Sequence, residues 1–256
     1  MEEICLKKIA CAALISSAIC SGAMAQSAGS LITSVGGAWL DFGPSSATAL
    51  QSSSAFGNFT SSGTGGQIHN TFTLELSTTY FITDNIAFDL ATGIPPKLQL
   101  YAQGNATPFG AGGPSLNLGN LAPLATTRSW APILFLKYYF FDAQTKLRPF
   151  VGVGGNYTWY SHTNLNSTFS GALQQIAGPG GQVKASLSPS WNPAFDVGAS
   201  YNISKNWYAT ASVTYLFLKT NATVSAVAAN GQTVLSNKTR ITADPVIVFL
   251  GLGYRF

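Results

Sequence analysis

Apolar residues recur at alternate positions along most of the chain. In 71–82, Phe72, Leu74, Leu76, Tyr80 and Ile82 share one parity, and Thr71, Thr73, Glu75, Ser77 and Thr79 share the other. The pattern returns in 86–94, where Ile86, Phe88, Leu90 and Ile94 oppose Ala87, Asp89, Ala91 and Gly93, and in 134–140, where Leu134, Leu136, Tyr138 and Phe140 oppose Lys137. It continues through 148–159, 195–203, 207–217 and 246–256, and a weaker run at 32–43 carries Trp39. Period two is the signature of a strand with two unlike faces, so eight strands are predicted. The links alternate in size. Thr83–Asn85, Asp142–Lys146 and Ser204–Asn206 are tight, whereas 44–68, 95–127, 161–189 and 221–239 are long and rich in Gly, Ser, Asn, Thr and Pro. Alternating short and long links between amphipathic strands predict an all-β fold: an eight-stranded antiparallel transmembrane β-barrel with short periplasmic turns and long extracellular loops. A transmembrane helix is not predicted, because the longest apolar run, near Pro245–Leu252, is less than half of the roughly 20 residues needed.

Energy decides which face meets lipid. Glu75, Asp89, Lys137, Arg148, Asp196 and Arg255 all fall on the small, polar parity. On a lipid-facing surface each midplane Lys or Arg would cost about 2–4 kcal/mol, so this parity is expected to face the lumen and the aromatic parity the lipid. Three of these charges are negative and three positive, and they are expected to pair as a plug in the lower barrel. An eight-stranded barrel is filled by side chains or holds one small ligand, so no continuous aqueous pore is expected. A soluble lipocalin-like barrel would reverse the two faces, and the chain has too few charges to solvate such an exterior.

Composition narrows the class. Of 256 residues only 9% are charged and 46% are hydrophobic, against about 25% charged in ordinary soluble domains. The net charge of +4 is scattered, with no basic stripe for nucleic acid. At the start, Lys7 and Lys8 precede a short apolar stretch, Ile9–Ile19, and Ala23-Met24-Ala25 fits an export cleavage site. Residues 1–25 thus read as a cleaved signal peptide and 26–256 as the barrel. Cys5, Cys11 and Cys20 all lie in the signal, which leaves the exported chain no disulfide and no thiolate metal site. Ile19 is not the small residue expected before a lipidated Cys20.

No catalytic, metal or cofactor site is predicted. His69 and His162 sit at strand–loop borders, and neither G-x-S-x-G nor H-E-x-x-H occurs. Asn58, Asn166 and Asn221 head glycosylation-type triplets that read as accidents of Asn/Thr-rich loops. Tyr138, Tyr157, Trp159, Tyr201, Trp207 and Tyr254 are placed to anchor the barrel at the membrane interfaces. Lys97 and Arg128 at the outer rim are candidates to meet lipopolysaccharide phosphates. Leu252, Tyr254 and Phe256, alternating to an aromatic C-terminus, resemble the signal read by the bacterial barrel-assembly machinery.

Several stretches resemble the outer membrane protein W (OmpW) family: TTYFITDNIAFD at Thr78–Asp89, Ala131-Pro132 followed by Lys137–Phe140, RPFVGVGGNYT at Arg148–Thr158, and GLGYRF at the end. The resemblance spans all eight strands but not the loops. It implies a monomer in the bacterial outer membrane, with a narrow apolar cavity open to the outside and a role in passage of small hydrophobic molecules. The residues support this, since the lumen parity turns apolar towards the extracellular ends at Ile133, Phe135, Leu216, Leu218, Ile247 and Phe249. Trp191 matches a family tryptophan near the cavity, although parity points it to lipid and only a register shift at Pro193 would turn it inward. Pro95, Pro96, Pro132, Pro193 and Pro245 lie in or beside strand ends, where missing ladder hydrogen bonds either open a lateral exit or mark where strands leave the membrane. The second functional reading is a structural or adhesive barrel whose long loops bind a partner.

Overall fold

In the computed structural model, which describes residues 26–43, 45–110 and 112–256, the alternating segments form β1 (Leu31–Asp41), β2 (Thr71–Phe81), β3 (Ile86–Gly93), β4 (Ile133–Tyr139), β5 (Leu147–Leu165), β6 (Ser190–Asn202), β7 (Trp207–Leu216) and β8 (Val246–Arg255). Each pairs antiparallel with its neighbours in chain order, and the β1–β8 ladder closes the ring, with Trp39 opposite Val248. The proposed signal peptide and its cysteines lie outside the described residues. No described helix is long and apolar enough to cross a membrane; the strands make the crossing.

The two faces separate as the alternation requires. Leu74, Leu76, Phe88, Leu90, Leu136, Val153, Phe195, Val197 and Leu250 stand exposed on the outer wall, while Asp89, Lys137 and Asp196 are buried inside. The tight links close one end. There Ile82 N donates to Ile86 O (2.8 Å), and Asn206 Nδ2 donates to Arg255 O (2.8 Å).

The long links are not loops, contrary to the sequence expectation. Above the barrel they fold into a cap. Lys97–Gln103, Ala125–Trp130 and Gly65–Ile68 extend the barrel wall from the upper part of β5. A second, six-stranded sheet is built from Gln182–Leu187, Lys219–Val227, Thr233–Thr242, Ser46–Ala47, Leu50–Ser54 and Gly57–Ser61. Between Leu165 and this sheet runs helix α1 (Ser167–Ala177). The Asn166 side chain accepts from Thr168 N at its start, and Gly178, at φ 76°, closes it by donating to Gln174 O. Asn166, read as part of a glycosylation triplet, is therefore a helix N-cap. Phe169, Leu173 and Ala177 bury one face of α1 against Leu118, Ala226 and Leu235, which gives the cap its own apolar core. β5 runs on to Leu165, where Trp159–Leu165 pair with Ala125–Trp130, and β6 starts at Ser190, opposite Thr158.

Candidate functional site

The lower lumen is filled, and one lysine organises it. Lys137 Nζ lies 2.9 Å from Asp89 Oδ2 and 2.8 Å from Asp196 Oδ2, three strands bridged by one ammonium. In register, Gly152 sits between Lys137 and Asp196. A Cβ there would stand 3.0 Å from Lys137 Cγ, so the glycine makes room for the pair. Asp89 Oδ1 accepts from Ser77 Oγ and Thr79 Oγ1 (2.6 Å each), and Asp196 Oδ1 accepts from Thr214 Oγ1 (2.9 Å). The rings of Phe150 and Phe135 flank the ammonium at 4.6 and 5.2 Å, within cation–π range. Buried charges are tolerated only when paired and hydrogen-bonded, and here both carboxylates and the lysine meet that condition.

Beneath this triad Ile32, Phe81, Ala87, Tyr139, Phe150 and Tyr208 pack as an apolar layer. Arg148, 1% exposed, then closes the bottom. Its guanidinium donates to the carbonyls of Gln26 (2.9 Å), Asp84 (2.6 Å), Phe141 (3.1 Å) and Phe140 (3.3 Å). The expectation of six mutually paired lumen charges is therefore corrected. Lys137, Asp89 and Asp196 pair with one another, while Glu75 and Arg148 stand apart from that triad. Arg148 is held by the backbone carbonyls of Gln26, Asp84, Phe140 and Phe141, Arg255 is buried at the same turn end, and Glu75 stands above the triad.

Above the triad the lumen opens into a cavity of about 420 Å³. Four of the predicted residues, Ile133, Leu216, Leu218 and Ile247, line it, together with Leu40, Phe42, Ala91 and Leu98. Phe135 and Phe249 lie lower, around a pocket of only about 20 Å³ next to the triad, and form the floor rather than the wall. Trp191 is outside the barrel. It is 77% exposed and packs on Tyr157 (centroids 4.7 Å apart). Gly155 pairs with Pro193 without a register shift, so parity, not the family position, places this tryptophan. Leu252, Tyr254 and Phe256 project from the outer wall near the turn end.

The cavity is not confined to the lumen. Its lining also includes Ile94, Pro95, Pro96, Trp130, Ala131, Pro132 and Trp159, and Ile94, Trp130 and Trp159 are exposed on the lipid side. The β3–β4 ladder ends at Ala91 and Ile133, and pairing between the same chain segments resumes only at Lys97 and Arg128. Ser129 N donates to Pro96 O (3.1 Å) in the interval. Pro95, Pro96 and Pro132 bring no N–H to it, and proline is confined to such breaks in a sheet. Trp130 and Trp159 border the opening as a parallel stack (5.8 Å, 4°), with Trp130 Nε1 donating to Ser161 Oγ (3.1 Å).

A second apolar cavity, about 110 Å³, lies in the cap among Leu50, Ile68, Leu100, Leu118, Leu165, Phe169, Ala222, Val224 and Ile241. Ile68 and Ile241 belong to the same packed cluster as Ile133 and Leu216, so the apolar lining runs from the cap into the barrel. These cap residues escaped the sequence analysis because they come from segments without alternation. No group of three or more His, Cys, Asp or Glu able to hold a metal occurs among the described residues.

The OmpW family profile matches residues 28–256. Outer membrane protein W of Escherichia coli K12 is 31% identical over 252 residues, 98% of this chain and all of that one. The dibenzothiophene metabolism operon protein PahQ of Pseudomonas aeruginosa is 24% identical over 177 residues, 69% of this chain and 68% of that one. The crystal structure of the outer membrane protein OprG from Pseudomonas aeruginosa shares the fold, with a TM-score of 0.71 and 23% identity over 91% of this chain and 98% of that one. The barrel, the span of the profile and the full-length match together establish that this chain belongs to the OmpW family of outer-membrane barrels.

Proposed function

We propose that the protein passes small hydrophobic molecules from outside the cell into the outer membrane, through the upper cavity and out sideways between β3 and β4. The observation that carries this reading is the contrast along the lumen. Its upper part is largely apolar, with Glu75 its one ionisable group, and open through the wall, whereas its lower part is closed by the triad, the aromatic layer and Arg148. An apolar solute in the cavity gains by leaving water, and hydrocarbon beyond Ile94 and Trp159 is the one apolar phase next to it. Crossing the triad would require separating buried ion pairs. Support also comes from PahQ, whose name ties it to the metabolism of dibenzothiophene, a flat apolar molecule. In this reading the cap cavity is the entry. Lys97 and Arg128, directly opposite each other and exposed above the opening, are proposed to hold a lipopolysaccharide phosphate there, since unpaired like charges face to face are otherwise destabilising.

The test is uptake of naphthalene by liposomes containing the protein. Leu216→Asp, which places a charge in the cavity wall, should abolish protein-dependent uptake. Replacing Pro95 and Pro96 by Thr, which restores the N–H donors, should reduce it. Both variants must retain the barrel's heat-modifiable gel migration. Equal uptake by all three proteins would refute the reading. The adhesive alternative has one observation in its favour, Phe56, which stands 80% exposed at the cap tip beside the edge strand Gly57–Ser61. Wild-type uptake no faster than that of empty liposomes would favour it.

A further inference from the structure

Glu75 is the only glutamate beyond residue 3. It lines both the upper cavity and the small pocket above the triad. Among the described residues its carboxyl has no hydrogen bond and no ion pair. The reason is visible in the register. Gly93 on β3 and Gly36 on β1 are its neighbours on either side, and Gly251 on β8 follows Gly36. The lumen wall beside Glu75 is therefore bare backbone at Gly36 and Gly93, and the Phe249 ring lies against Gly251 beyond them. A Cβ at Gly36 would collide with the Leu250 carbonyl, and one at Gly93 would press on the Leu74 carbonyl, so neither position can carry a side chain that would cover the acid. Lys137, the nearest cation in the lumen, is held between Asp89 and Asp196. Counting Glu75, Asp89 and Asp196 against Lys137, this level of the lumen has an excess of negative groups. Apart from Thr73, Thr92 and Ser129, the rest of the cavity wall, from Leu40 and Ala91 to Ile133, Leu216 and Ile247, is apolar, and Glu75 is its one ionisable group.

We propose that Glu75 is a head-group site, and that the cavity prefers amphiphiles ending in an ammonium or another hydrogen-bond donor over hydrocarbons and over carboxylates of the same length. This rests on the reading that small apolar solutes occupy the upper cavity, and it adds their polar end. The tail lies against Ile133, Leu216 and Leu218, and the head donates to the Glu75 carboxylate over the bare glycine strip. A buried or half-buried carboxylate with room beside it and no donor is poorly satisfied; an ammonium supplies donor and opposite charge together, the stronger kind of hydrogen bond. An anionic head would meet Glu75 and the two aspartates and be repelled. The metal alternative lacks a ligand set, as the described residues contain no suitable cluster.

The test uses the full chain in zwitterionic-lipid nanodiscs, with 13C at the glutamate carboxyl carbons and at the Ile and Leu methyl groups. The only other glutamates are Glu2 and Glu3, so a Glu75→Gln spectrum identifies the Glu75 signal. Hexylammonium, hexanol and hexanoate are titrated in turn. The proposal predicts that hexylammonium shifts the Glu75 carboxyl and the Ile133 and Leu216 methyls saturably. Hexanoate should bind about tenfold or more weaker, the scale of one charge-assisted hydrogen bond. In Glu75→Gln the amine should lose its advantage over hexanol. If all three probes move the methyls with equal affinity, or hexanoate binds best, or the Glu75 carboxyl stays unmoved, the head-group site is refuted while the apolar cavity stands. If no probe moves the methyls, the cavity reading fails and the head-group site with it.

Discussion

Replacing Lys137 by Met removes the cation from the barrel centre while keeping most of its volume, and two carboxylates are left facing each other in a dry lumen. Breaking a buried ion pair by removing one partner costs about 3–5 kcal/mol, chiefly because the other charge is left uncompensated. Here one lysine serves two acids, so the upper end of that range is expected. The acids are not equivalent. Asp89 keeps two hydroxyl donors, Ser77 and Thr79, at 2.6 Å, whereas Asp196 keeps only Thr214 at 2.9 Å. Adding Asp196→Asn to the Lys137→Met background should therefore recover more stability than adding Asp89→Asn. The gap should be about one hydrogen bond to a charged group, roughly 1.5–3 kcal/mol. The triple variant, with all three charges gone, should return close to wild type, since neutral replacement of a buried pair is often nearly free. Reversible urea unfolding in lipid vesicles, followed by tryptophan fluorescence, measures all of these. A Lys137→Met protein within about 1 kcal/mol of wild type, well below the range for a broken buried pair, would refute the claim that the triad is dry and mutually dependent. Equal rescue by the two aspartate substitutions would refute the assignment of their hydrogen bonds.

Gly152→Val should cost about 1–3 kcal/mol by overpacking, because the added side chain enters the space between Lys137 and Asp196; the same unfolding assay reads it. Asn166→Ala should lower cap stability by about 1 kcal/mol, the usual value of a lost N-cap, and hydrogen exchange should quicken in 167–177 and not in the barrel strands. Replacing Lys97 and Arg128 by Gln should weaken lipopolysaccharide retention during purification in mild detergent; unchanged retention would remove the proposed phosphate contact. In planar bilayers the wild-type protein should show no large ohmic conductance, because Arg148 and the Phe81, Phe150 and Tyr208 layer fill the bottom of the lumen.

The barrel was legible in the sequence because hydrocarbon permits no ambiguity. A strand with Leu76 on one side of the wall and Glu75 on the other has only one orientation, and the eight segments follow from repeating that test. The cap was not legible, because its strands have water or protein on both sides and no such filter acts. Leu50–Ser54, with four polar residues out of five, has no face to read. Helix α1 did leave a signal in Asn166, Phe169, Leu173 and Gly178, a cap, a spaced apolar pair and a stop, hidden within Asn/Ser/Thr-rich composition. At the candidate site, parity located Ile133, Leu216, Leu218 and Ile247 in the lumen but carried no depth, so Phe135 and Phe249 were grouped with them although they lie at the floor. Trp191 shows the opposite case, in which the residue's own parity outweighs a resemblance. The partnership of Lys137 with Asp89 and Asp196 depends on the registers that set β3, β4, β5 and β6 side by side around Gly152, and the lateral opening depends on Pro95, Pro96 and Pro132 reaching the same level from two separate strand ends. Both are properties of register, which spacing along the chain does not encode.

The most direct test is to record intermolecular NOEs between naphthalene and methyl-labelled, otherwise deuterated protein in nanodiscs. The account predicts contacts to Ile133, Leu216, Leu218 and Ile247 and to Ile94 at the lateral opening, with none to Ile32 or Ala87 below the triad. Contacts to Ile32 and Ala87, which would require the solute to pass Lys137 and its two aspartates, would contradict it.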